Sequence, residues 1–265
     1  MKPQVRNSQV AGIDLGTTFT SLAFMDDVGQ PKVIPNLDGD LKTPSEVYCD
    51  AKGEEILVGR AAQNMMFLEP KQVFKETKRD VGTDKVYFAN GPITATPDWC
   101  QAQILKYMRE SAIQYSGDKR AASEAVITVP AYFKDNERQS VIRSAERAGI
   151  KVLRLINEPT SAGLALGLSE KQGDALVLVL DFGGGTFDVS LIQYGGGKAD
   201  VIASSGDKHL GGKDVDDILL KWVADQFKNE HGIEISPESC PADFYGVWEE
   251  IIRQKHLLSS RRETT

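Results

Sequence analysis

The stretch Asp174-Ala-Leu-Val-Leu-Val-Leu-Asp-Phe-Gly-Gly-Gly-Thr-Phe-Asp-Val-Ser-Leu-Ile192 decides how the rest of the chain is read. Ala175 to Leu180 is an apolar run, rich in Val and Leu and too short for a membrane span, and it predicts a strand buried on both faces. Asp181 closes the run, and Gly183, Gly184 and Gly185 free the backbone for a tight turn whose N–H groups converge on an anion. Thr186 adds a hydroxyl before a second strand returns. Taken alone, the turn reads first as a hairpin that needs a flexible loop. A second copy changes that reading. Val10-Ala-Gly-Ile-Asp-Leu-Gly-Thr-Thr-Phe-Thr-Ser-Leu-Ala-Phe24 repeats the plan: a strand with a terminal Asp14, a turn at Gly16, Thr17 and Thr18, and an outgoing strand from Phe19.

Outward from these two turns, the chain alternates strands and helices. The opening is β-rich, with strand-like pieces near Lys32–Ile34, Pro44–Asp50 and Ile56–Val58, then a short helix over Gly59–Leu68. Thr96-Pro97 pairs a capping hydroxyl with proline at the first helical position, and predicts a helix to about Tyr115 that stops at Ser116-Gly117. Glu124–Val129 reads as a buried strand, Asp135 as the cap of a helix ending at Gly149, and Val152–Ile156 as the next strand. Strand, helix, strand in this order predicts a parallel crossover. Because Pro159 holds the residue before it out of the α region, Glu158 is expected to project from a strand end. In α/β folds ligands bind at the carboxyl ends of strands. Ser169-Glu-Lys-Gln-Gly173 is the one linker-like connection and divides the chain into lobes at 1–171 and 172–265. Past the second turn, Asp214 is expected to cap a long helix with Ile218, Leu219, Trp222, Val223 and Phe227 as its core stripe, closed by Gly232. A last helix carries Phe244, Trp248, Ile251, Ile252, Lys255 and Leu258 on one side.

The 265 residues, 41% hydrophobic, suffice for one large core or two smaller ones. A net charge of −7 without clustered Lys and Arg argues against a nucleic-acid surface. Lys75-Glu-Thr-Lys-Arg79 reads from spacing alone as a solvated face. Cys49, Cys100 and Cys240 show neither disulfide-framework nor zinc spacing and are expected to be reduced. The polar start, Met1 to Gln9, and the short apolar segment interrupted by Asp14 predict no signal peptide or membrane anchor, hence a cytoplasmic protein. There is no Gly-x-x-x-x-Gly-Lys-Ser/Thr, no Gly-x-Gly-x-x-Gly after the first strand and no Gly-x-Ser-x-Gly, and His209, His231 and His256 are isolated.

What remains is the pair of turns and three strand-end carboxylates, Asp14, Glu158 and Asp181. Two glycine turns offer backbone N–H groups to a triphosphate from opposite sides, but carboxylates beside it are repelled unless a cation intervenes. Mg²⁺ meets the need, since it keeps most of its waters and is reached by aspartates through them. A lysine at the terminal phosphate completes the set, and Lys78 is the candidate.

Five runs, in order from one end of the chain to the other, resemble the signature runs of the ATPase domain of the heat-shock protein 70 (DnaK-type) chaperone family. They are Gly12-Ile-Asp-Leu-Gly-Thr-Thr-Phe-Thr20, Val129-Pro-Ala-Tyr-Phe133, Ile156-Asn-Glu-Pro-Thr160, Asp181-Phe-Gly-Gly-Gly-Thr-Phe-Asp188 and Gly206-Asp-Lys-His-Leu-Gly-Gly212. The resemblance implies an α/β, actin-like ATPase fold of two lobes with a nucleotide cleft between them, the second lobe incomplete and the peptide-binding domain absent. It implies that Gly16, Thr17, Thr18 and Phe19 form the first phosphate loop and Gly183, Gly184, Gly185 and Thr186 the second. Asp14 and Asp181 order the waters of Mg²⁺, Lys78 positions the attacking water, Glu158 accepts its proton or organises it, and Asp188 supports them. Pro130 and Arg138 match residues that report nucleotide state, and Lys255 and Ser259 match adenosine-contacting positions. Ile252 and His256 depart from the usual glutamate and arginine near the adenosine, and Lys213 replaces an acid.

The function implied is ATP hydrolysis driving chaperone action on unfolded polypeptides by a monomer, with ATP and ADP, Mg²⁺, a J-domain co-chaperone and a nucleotide exchange factor as cofactors and partners. An actin-like filament subunit and a sugar or acid kinase of the same fold are the alternatives, distinguished by polymerisation with nucleotide and by substrate-dependent ADP release. The face of the last helix bearing Trp248, Ile251 and Ile252 is expected to be uncovered.

Overall fold

The computed structural model describes residues 7–91, 93–166, 174–196, 198–237 and 239–264. The expected lobe boundary at 171/172 lies outside the described residues. Its strands are β1 (Val10–Leu15), β2 (Phe19–Met25), β3 (Pro31–Val33), β4 (Thr43–Pro44), β5 (Val47–Cys49), β6 (Ile56–Val58), β7 (Val73–Phe74), β8 (Phe88–Asn90), β9 (Ile93–Ala95), β10 (Glu124–Val129), β11 (Lys151–Asn157), β12 (Ala175–Phe182), β13 (Phe187–Gly195) and β14 (Lys198–Asp207). The helices are α1 (Arg60–Asn64), α2 (Pro97–Ser116), α3 (Asp135–Arg147), α4 (Glu158–Ala165), α5 (Gly212–His231) and α6 (Pro241–Leu258).

The main sheet of the first half runs β11-β10-β1-β2-β3, with β4 also on β2. The β10–α3–β11 unit is the expected parallel crossover, and β1 lies parallel to β10 and antiparallel to β2. Alternation sets the faces: Ala11, Ile13 and Leu15 of β1 enter a core that also takes Ile127, Val129, Leu105, Met108 and Val141. Asp14 is left on the opposite face. Helix α2 begins where its cap predicts, the Thr96 hydroxyl accepting from the Trp99 N–H at 3.2 Å, and ends at Gly117 with φ 71°.

The second half is a three-stranded antiparallel sheet, β12-β13-β14, followed by α5 and α6. Here several expectations change. Strand β12 is not buried on both faces: Leu176, Leu178, Leu180 and Phe182 are 55–63% exposed, while the alternate residues face inward. Among the described residues, only one side of β12 is packed. On α5 the stripe is likewise divided, since Ile218 (70%) and Trp222 (62%) are exposed and Asp216 and Leu220 are the buried residues. On α6, by contrast, Ile251 is buried and Trp248 and Ile252 are half-buried, because the helix lies against the first half and Trp248 is covered by Lys75. Asp135 and Asp214 are not the caps themselves; they sit one and three residues into their helices, after Lys134 and Gly211. Cys49, Cys100 and Cys240 are free thiols. Among the described residues no helix is long and apolar enough to cross a membrane.

Candidate functional site

Both glycine turns are built where strand pairing demands a reversal, and the glycines are required by close approach. A Cβ on Gly16 would meet the Phe19 carbonyl at 2.3 Å. Ser45 secures this first turn, its hydroxyl donating to Gly16 O at 2.8 Å and its N–H to Thr18 O at 2.8 Å. In the second turn the Gly183 N–H donates to Thr186 O at 2.9 Å. The two turns abut: a Cβ on Gly184 would meet Thr18 Oγ1 at 1.8 Å, and one on Gly185 would meet Thr17 Cγ2 at 2.3 Å. Sequence positions about 170 apart are therefore brought face to face.

Beside the turns lies a cluster of one lysine and several carboxylates. Lys78, on a 3-10 turn over Thr77–Asp80, is only 6% exposed and reaches Glu158 Oε1 at 2.5 Å. The basic stretch is thus not a solvated face, because Lys78 and Arg79 are both drawn into partners. Glu158 is the first residue of α4, directly after β11, so the expected strand-end position is met only to within one residue. Burial holds its carboxyl above the usual range, Lys78 opposes this, and Asp14 and Asp181 add repulsion. Burial likewise raises Asp181, with Lys78 lowering and Asp14 raising it. Asp188 stands directly opposite Asp181 across the strand pair and is fully buried. Burial and then Glu158 push its carboxyl up to about 6. Its Oδ1 accepts from the Ala131 N–H at 3.3 Å, and its Oδ2 has no hydrogen-bond partner among the described residues. Asp14 accepts from the Thr128 hydroxyl at 2.8 Å.

Four carboxylates around one lysine leave an excess of negative charge in a partly dry place, and like charges opposite each other in a strand pair are unfavourable. A divalent cation fits this donor set. No group of three His, Cys, Asp or Glu side chains among the described residues is arranged to hold a metal ion directly.

The remaining predicted residues divide. Arg138 donates to Phe133 O at 3.0 Å and to Asn157 Oδ1 at 2.7 Å, which joins the Pro130 segment to the residue preceding Glu158. Lys255 comes to the first turn of α5, donating to Gly212 O at 3.0 Å and pairing with Asp216 at 2.6 Å. Ser259, at the end of α6, and His256 are exposed, and neither hydrogen-bonds to the turns; Ile252 is half-buried. Lys213 pairs with Asp217 and, at 3.8 Å, with Glu76. Two participants escaped the sequence reading. Thr128 carries only the signal of strand alternation, and Arg79 only that of standing next to Lys78.

A family model described as "Hsp70 protein" matches residues 10–90 and 85–265. The "Chaperone protein DnaK" of Thermotoga neapolitana is 46% identical over 227 residues, covering 85% of this chain and 37% of the relative. That of Thermotoga maritima matches over the same shares at 46% identity. That of Thermosipho africanus is 44% identical over 231 residues, 87% of this chain and 38% of the relative. The chain thus spans less than two fifths of the length of these relatives.

Proposed function

The chain belongs to the Hsp70 protein family and has its actin-like ATPase fold, and from that premise we propose that it binds Mg-ATP between its two glycine turns and hydrolyses the terminal phosphate. The observation that carries the reading is the contact of the Gly184–Gly185 and Thr17–Thr18 turns beside the buried Lys78–Glu158 pair. Backbone N–H groups of residues 16–19 and 184–186 take the phosphate oxygens, while Gly183 shapes the second turn through its own bond to Thr186 O. Lys78 holds the attacking water on the line of displacement, and Glu158, whose carboxyl sits above its ordinary range, accepts or steers that water's proton. Asp14 and Asp181 would hold Mg²⁺, by way of water, with Asp188 supporting them, and the ion would supply charge neutralisation at the phosphates. Lys255 and Ser259 are proposed to contact the adenosine.

By the same membership, the larger role proposed is ATP-driven chaperoning of unfolded polypeptides in the cytoplasm, with a J-domain co-chaperone and a nucleotide exchange factor. Residues 1–171 and 172–265 are proposed as parts of the two lobes. Titration calorimetry with Mg-ATP and single-turnover hydrolysis test the site. One nucleotide per chain is expected, with hydrolysis reduced about 100-fold or more in K78A and D181N, the scale of losing one preorganised charge. Absence of Mg-ATP binding by the unaltered chain, or unaltered turnover in either variant, overturns the reading.

A further inference from the structure

The second glycine turn is fastened through its carbonyls. Gly183 O accepts from the Gly212 N–H at 3.0 Å and Gly184 O from the Lys213 N–H at 2.9 Å, both at the start of α5. The third carbonyl, Gly185 O, is taken by the first half of the chain: Arg79 Nε donates to it at 2.9 Å. The same guanidinium grips Asp214 with its other two nitrogens, Nη2 to Oδ2 at 2.6 Å and Nη1 to Oδ1 at 3.3 Å. Asp214 Oδ2 in turn accepts from the Gly211 N–H at 2.7 Å, closing the loop around the helix start. Arg79 is 11% exposed and has Glu76 at 3.8 Å as a further counter-charge. Burial disfavours the Asp214 carboxylate, but the bonds from Arg79 and Gly211 outweigh it and hold the carboxyl below the usual range.

Peptide planarity gives this fastening a consequence. Across a trans peptide the carbonyl of one residue and the N–H of the next point in opposite directions, and no peptide among the described residues is cis. Pinning the carbonyls of Gly183, Gly184 and Gly185 toward α5 and Arg79 therefore aims the N–H groups of Gly184, Gly185 and Thr186 the other way. We propose that Arg79 is a positioning residue that aims the Thr186 N–H as a phosphate donor and holds the second turn against the first. The proposal rests on the turns being the phosphate site, as argued above. One 3-10 turn thus sends Lys78 to Glu158 and Arg79 across to the second half. A lysine does not reproduce Arg79 here, because its donors sit on one nitrogen, whereas the guanidinium spreads three nitrogens over Gly185 O and both oxygens of Asp214.

The test uses R79K, R79A and D214N in the whole chain, with two readouts. Amide hydrogen exchange of Gly183, Gly212 and Lys213, whose N–H groups are bonded within or to the turn, measured without nucleotide, reports the hold on the turn. Mg-ATP affinity reports its use. R79K is expected to fold, to exchange these amides about tenfold faster and to bind Mg-ATP about tenfold more weakly, the scale of one charge-assisted hydrogen bond. R79A is expected to lose more and to recover part of its affinity in millimolar guanidinium, whereas D214N loses less because Gly185 O keeps its donor. Wild-type exchange and affinity in both R79K and R79A, with Mg-ATP still bound by the unaltered chain, overturn the role of Arg79 alone. Faster exchange in the variants of a chain that never binds Mg-ATP sinks the phosphate reading and leaves only the structural hold.

Discussion

Single residues in this chain owe their chemistry to what surrounds them rather than to their type. Lys78 and Lys75 differ little in sequence context, yet Lys78 is spent on Glu158 while Lys75 lies 3.9 Å from the Trp248 ring. Beneath Lys75 sits Glu46, 8% exposed, with Oε2 unpartnered among the described residues and Oε1 reached only by Gln63 at 3.4 Å. Burial pushes its carboxyl up to about 7, Lys75 and Gln63 opposing and Glu76 and Glu249 adding repulsion. The folded chain thus binds this proton more tightly than the unfolded chain, where the carboxyl titrates near 4.5. Its contribution is complete below that value and is lost as pH rises through about 7, about 3 kcal/mol in all. E46Q is expected to flatten the fall in stability between pH 5 and 8 and to be the more stable protein at pH 8. Urea unfolding across that range checks it, and an unchanged slope would refute it. Glu46 gave no sign in the sequence, because a glutamate after Pro44-Ser45 reads as a surface residue until the strands around it are packed.

At the scale of elements, the readings that held are those in which local chemistry suffices. Thr96-Pro97 starts α2, Gly117 and Gly232 end their helices in the left-handed region, and β10–α3–β11 crosses over in parallel. Those that shifted depend on neighbours. The Val-Leu run of β12 reads as buried on both faces because composition cannot tell a strand covered twice from one covered once. Its packed side is set by α4, and Gly163 marks the contact: a Cβ there would meet the hydroxyl of fully buried Tyr194 at 1.7 Å. G163A is therefore expected to destabilise the chain by about 1–3 kcal/mol through overpacking. Thermal unfolding checks this, and an unchanged midpoint would show that Tyr194 moves aside at no cost.

Across the whole molecule, the two halves meet through polar and aromatic contacts. Arg79 joins Asp214 and Gly185, Lys208 joins Glu137, and Lys75 stacks on Trp248. Exposed apolar side chains gather on the outer face of β12 and at Ile218 and Trp222 of α5, whereas on α6 Ile251 is buried and Trp248 and Ile252 are half-buried, contrary to expectation. Leu178 faces Leu191, and Leu180 faces Val189, so that side of the sheet presents a continuous apolar patch. The chain is expected to associate at micromolar concentration, and L178K with L180K to lower its mean mass in light scattering; equal masses would exclude that face as the cause. By itself the sequence determined the elements, the two glycine turns and the acids beside them, because turn chemistry, caps and strand period act within a few residues. Only the tertiary structure decided that the turns touch, that Lys78 meets Glu158 and Arg79 meets Asp214, and which side of β12 is dry. Those facts join positions 80, 135 and more residues apart, and no local preference encodes a distance across the fold.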